Sequence, residues 1–121
     1  MSNKFPVFIL AKDSGEILRF DSVDHMQRQL EAIDVENDEY QAWDHDGLAL
    51  DLRVQKPVWL DIAPGELRRE QLAEVFRKYA EAMGAVVEVD ANSDFTQAFD
   101  QIREQVKKRT TSKGFFRRRG K

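Results

Sequence analysis

The run Phe5 to Ala11 reads FPVFILA, an almost unbroken apolar stretch of strand length. Side chains alternate between the two faces of a strand, so continuous apolar character calls for cover on both faces. Pro6 cannot donate to a ladder and belongs at the strand's beginning or on an edge. Asp13-Ser14-Gly15 then supplies turn chemistry, and Glu16 to Phe20 (EILRF) returns as the second arm of a hairpin.

Ser22 suits an N-cap and Asp24 the positive end of a helix, along which Val23, Met26, Leu30 and Ile33 recur at helical spacing. This helix should stop near Asp34, and the acidic run Asp34 to Glu39 reads as a turn with Asn37 as its left-handed residue. Tyr40 to Asp44 reads as a strand. Asp46-Gly47 signals a type I′ hairpin turn. Leu48, Leu50, Leu52 and Val54 then alternate with Ala49, Asp51 and Arg53, the mark of a strand with one buried face. Val58, Leu60 and Ile62 alternate with Trp59 and Asp61 in another half-buried strand, which Pro64-Gly65 should end. Leu72, Val75, Phe76, Tyr79, Ala80 and Met83 keep helical spacing up to Gly84, which fits the position closing such a helix. Ala85 to Val89 is rich in β-branched residues and reads as a short last strand. Phe95, Phe99, Ile102 and Val106 form a narrower stripe on a third helix, with Lys107, Lys108 and Arg109 at its negative end.

The order β-β-α-β-β-β-α-β-α indicates a single α+β domain. Its sheet should be mixed but mostly antiparallel and packed against helices, with one parallel crossover between residues 58 and 89. Residues 1–110 are expected to form this domain, and residues 111–121 a flexible basic tail.

The charge is divided sharply along the chain. Residues 1–100 hold 10 Lys/Arg against 21 Asp/Glu, a charge of −11, whereas residues 101–121 hold nine against one, a charge of +8. Such asymmetry points to electrostatic partners. The 121 residues contain no cysteine, which excludes disulfides, thiol nucleophiles and cysteine-bound metals. No apolar run approaches the ~20 residues of a spanning helix. The opening run meets Lys12 and Asp13 at once, unlike a signal peptide, and a cytoplasmic location is expected.

Asp44-His45-Asp46 is the cluster most like a metal or acid–base site. Its members are adjacent in a tight turn, however, where side chains diverge, and a solvated hairpin tip is expected. Asp34, Glu36, Asp38 and Glu39 fail the calcium-loop pattern: position 6 counted from Asp34 is Glu39 where glycine belongs, and position 12 is His45. The serines have turn or capping explanations, and neither a G-x-S-x-G elbow nor a glycine-rich phosphate loop is present. No catalytic residue, metal or cofactor is therefore assigned, and a non-enzyme is expected.

Aromatic residues among charges are typical of protein-binding surfaces. Trp59 should point away from the face of Val58, Leu60 and Ile62, near Asp61 and Asp51. With Trp43, these residues are the protein-binding candidates. Lys107, Lys108, Arg109, Phe115, Phe116, Arg117, Arg118 and Arg119 combine basic and aromatic side chains and are the nucleic-acid-binding candidates. The leading expectation is a small interaction module whose acidic body meets a basic protein, in the manner of an inhibitor or immunity protein. The alternative is an adaptor for RNA or DNA that binds through the basic end.

Overall fold

The computed structural model describes residues 5–120, with side chains described as far as Lys107. Five strands form one antiparallel sheet: β1 (Val7–Ala11), β2 (Glu16–Phe20), β3 (Tyr40–Trp43), β4 (Leu48–Val54) and β5 (Leu60–Leu67), in the spatial order β2-β1-β3-β4-β5. Four helices complete the α+β fold: α1 (Val23–Gln29), α2 (Ala32–Glu36), α3 (Arg69–Met83) and α4 (Phe95–Gly120).

The doubly apolar opening run lies inside the sheet, with β2 on one side and β3 on the other. Val7 and Ile9 face a cluster with Phe20, Met26, Leu30, Ala42, Leu50 and Leu60, on the side of α1. Phe8 and Leu10 face the opposite cluster, built with Leu72, Phe76 and Tyr79 of α3 and Phe95, Phe99 and Ile102 of α4. There the Phe8 ring meets Phe76 edge-on at 5.2 Å, and Phe76 stacks on Phe95 at 5.8 Å. The molecule is thus a sheet between two helical layers, as the composition of FPVFILA requires.

Several local expectations change. All four strand pairings are antiparallel, so among the described residues the crossover is absent and no parallel strand forms. Residues 85–89 lie outside the sheet. Ala85, Val87 and Val89 do bury one face against the α3–α4 cluster. Their backbone, however, is tied to side chains: Gln105 bonds both the N–H and the C=O of Val86 at 2.8 Å, and Arg77 donates to the Val89 carbonyl at 2.8 Å.

The first helix is broken. Leu30 takes an extended conformation (φ −94°, ψ 148°) and is buried, so α2 begins again at Ala32, inside the run expected to be a turn. The left-handed residue after it is Asp38, with φ 60°, rather than Asn37. Strand β5 continues through Pro64-Gly65. A Cβ on Gly65 would lie 3.1 Å from the Ala49 carbonyl oxygen, so glycine here permits a close approach of two backbones at a register shift. Helix α4 runs to Gly120, beyond the end expected near residue 110.

Candidate interaction surfaces

The hairpin between β3 and β4 shows why Asp44-His45-Asp46 is built as a turn. Asp44 N–H donates to Leu48 O at 2.9 Å and Gly47 N–H to Asp44 O at 3.0 Å. Gly47 has φ +89°, whereas Asp46 keeps a negative φ. This is a three-residue loop with a left-handed glycine rather than a type I′ turn. Asp44 is 3% exposed, and its Oδ1 accepts from the N–H groups of Asp46 and Leu48 at 2.9 and 3.0 Å. Asp44 is therefore not part of a solvated tip; its carboxylate is committed to the turn. His45 and Asp46 are half-buried, with Nδ1 and Oδ1 3.5 Å apart. Among the described residues, no group of three or more His, Cys, Asp or Glu side chains could hold a metal ion.

Arg69 is the residue that sequence reasoning missed. An arginine at the start of a helix is ordinarily solvated. The Arg69 guanidinium instead donates to the carbonyls of Asp46, Ala91 and Ser93 and lies over the Phe95 ring at 4.7 Å. It joins the β3–β4 loop, the segment before α4 and the start of α4. The sequence signal for it is spacing: Arg69 lies three, four and seven residues before Leu72, Ala73 and Phe76, in line with the buried stripe of α3.

Two of the four protein-binding candidates take places other than those expected. Trp43 is 1% exposed, packs on the α3–α4 side of the sheet and donates its Nε1–H to Gln71 Oε1 at 3.0 Å. It is a core residue and offers a partner no surface. Trp59 is half-buried and packs in the cluster of Leu60, Ile62 and Leu52, opposite to the expected direction. Strand alternation begins only at Leu60, and Trp59 precedes it in a bend, so the period of two does not reach it.

Asp51 and Asp61 do lie together. β4 and β5 pair Arg53 with Asp61 and Asp51 with Ala63, which puts both carboxylates on one face of the sheet with Arg53 between them. Arg53 bonds Asp51 at 2.8 Å and offsets part of the charge. Asp51 also lines a hollow of about 280 Å³ with Lys12, Asp38, Tyr40 and Gln41. That hollow joins it to the acidic run. The register places Ala11 opposite both Tyr40 and Glu16, so the β1–β2 turn sits beside the segment leading into β3. Asp13 and Glu16 thereby share one end of the sheet with Glu31, Asp34, Asp38 and Glu39. Tyr40 registers this field. Burial first, then the negative charge of Asp34 with its hydrogen bond at 3.4 Å, then Glu31 and Asp13, push the phenol above its ordinary value. Lys12 is the cation among these acids, 3.1 Å from Asp38.

Of the nucleic-acid-binding candidates, Lys107 is exposed on α4 and lines a shallow hollow with Arg19, Asp21, Asp100, Arg103 and Glu104. The side chains of Lys108, Arg109, Phe115, Phe116, Arg117, Arg118 and Arg119 lie outside those described. Among the described residues, no helix is long and apolar enough to cross a membrane. Compared with protein-family models, curated proteins and solved structures, the chain matches none.

Proposed function

We propose that the protein is a non-catalytic interaction module, of the cytoplasm, whose acidic sheet end receives a basic protein surface. The observation that carries this reading is the convergence of Asp51 with the acidic run. Residues far apart in the chain, Asp13, Glu16, Asp34, Asp38 and Asp51, gather where β1 ends and β3 begins. A surface on which acids outnumber the cations Lys12 and Arg53 raises the encounter rate with an oppositely charged partner. A basic enzyme or toxin domain is the partner class that such a surface fits, with this chain as its inhibitor or immunity protein.

The test is charge reversal. Asp38→Lys with Asp51→Lys should abolish low-salt capture of a basic protein by the immobilised chain, with the fold unchanged by circular dichroism. Equal capture by the wild type and the double variant would refute the reading.

A second reading has its own support. The basic segment continues a helix that begins at Phe95, so the seven cations of residues 107–119 belong to one element. Phosphate contacts through that element would give RNA or DNA binding that weakens steeply with salt.

A further inference from the structure

The two edges of the sheet are finished differently. Lys12 N–H donates to Glu39 O and Gln55 N–H to Trp59 O, both at 2.9 Å. In an antiparallel pair, only alternate residues exchange bonds across a given seam. Continuing the Lys12–Glu39 pair inward, Leu10 and Phe8 bond to β3, which leaves Val7, Ile9 and Ala11 to bond to β2. Their partners Phe20, Leu18 and Glu16 direct their backbone groups inward. The N–H and C=O of Ile17 and Arg19 therefore point away from the sheet. On β5, the same counting from Gln55–Trp59 turns Leu60, Ile62 and Pro64 outward.

The β5 edge is blunted. Leu60 N–H is taken by Gln27 Oε1 of α1 at 3.1 Å, and Pro64 has no N–H to offer. Devices of this kind stop a sheet from pairing with another chain. The β2 edge has neither. It floors a groove of about 420 Å³, walled by His25 and Gln29 of α1 and by Tyr79, Phe99 and Arg103 of α3 and α4. Ile17 is 3% exposed, and among the described residues its outward backbone groups meet no partner. The free backbone groups of an edge strand are a template for pairing with another chain.

The groove also carries an uncommitted cation. Arg19 is held by Asp21 and Asp100 at 3.3 and 3.1 Å. Arg103 lies over the Phe99 ring at 5.6 Å and, among the described residues, has no carboxylate within ion-pair reach. Glu16 lines the same groove and is repelled by acids, so an acidic ligand group is favoured beside Arg103 rather than beside Glu16.

We propose that this groove binds an extended peptide segment of a partner protein, which adds to β2 as a sixth strand and sets an Asp or Glu side chain on Arg103. Main-chain bonds supply affinity in this mode, and side-chain pockets supply specificity. The groove borders the acidic sheet end at Glu16 and Tyr40, but strand addition to β2 does not depend on that end binding a basic protein.

The test uses a fluorescein-labelled octapeptide of alternating valine and threonine with one central glutamate, titrated by fluorescence anisotropy at low salt. Three comparisons decide the matter: the peptide with alternate amides N-methylated, the peptide with lysine for glutamate, and the Arg103→Glu chain. Each should weaken binding by about tenfold or more, and Arg103→Glu should bind the lysine peptide better than the wild type does. No saturable binding of the parent peptide would overturn the proposal. So would unchanged binding of the N-methylated peptide, which would show an ionic contact without strand addition. A dimer of the chain in sedimentation, dissolved by the parent peptide, would show that a second copy fills the edge and would overturn the partner assignment.

Discussion

At the scale of single residues, the structure rests on a few side chains whose role is local. Gly47 combines φ +89° with a position where a Cβ would lie 2.7 Å from Arg69 Cγ. Gly47→Ala therefore meets both backbone strain and a clash, and should cost about 1–3 kcal/mol in urea denaturation. Arg69→Met keeps much of the stem but strands three carbonyls, and should cost about 2–3 kcal/mol by the same measurement. Tyr40 and Tyr79 give a pH signature. Burial is the first cause of the raised pKa in both, with Asp34 next for Tyr40 and Glu16 for Tyr79. A phenol whose folded pKa is raised stabilises the fold below its unfolded pKa, near 10.0. That contribution is lost as pH rises through the folded value. Unfolding free energy should thus fall as the solution passes above about pH 10, and less so in Tyr40→Phe. The tryptophans mark the limit of sequence reading at this scale. Trp43 alternates correctly with its neighbours, but alternation does not tell which face α3 will cover.

At the scale of elements, patterns of period two and 3.6 are legible wherever packing and hydrogen bonding agree. The α3 stripe and the strand FPVFILA are both of this kind: Phe76 meets Phe8, Phe95 and Phe99 as its spacing requires. Phe76→Ala should cost about 3–5 kcal/mol in urea denaturation, since the ring is fully buried. The misread elements are those where pattern and bonding part. Residues 85–89 alternate because one face is buried, yet side chains of α3 and α4 take their backbone groups, so no strand forms. The broken helix at Leu30 and the long β5 through Pro64-Gly65 have the same origin. Tertiary contacts, a buried leucine and a close backbone approach, decide where these elements start and stop.

At the scale of the whole molecule, the charge split was legible from composition, and the convergence of the acids was not. It depends on the register that sets Ala11 beside both Glu16 and Tyr40, which no local pattern contains. The fold gives the −11 of residues 1–100 a direction, since several of those carboxylates share one end of the sheet, while the +8 segment continues α4. If the acidic sheet end is the binding surface, the basic end of α4 is dispensable, and removal of residues 108–121 decides between the two. Binding of the captured basic protein is measured by titration calorimetry at two salt concentrations, with the intact and shortened chains. Binding should weaken with salt and be preserved or slightly tightened by the removal, since opposing cations are lost. Loss of binding on removal, with RNA bound by the intact chain alone, would contradict this and favour the basic end of α4 as the functional surface.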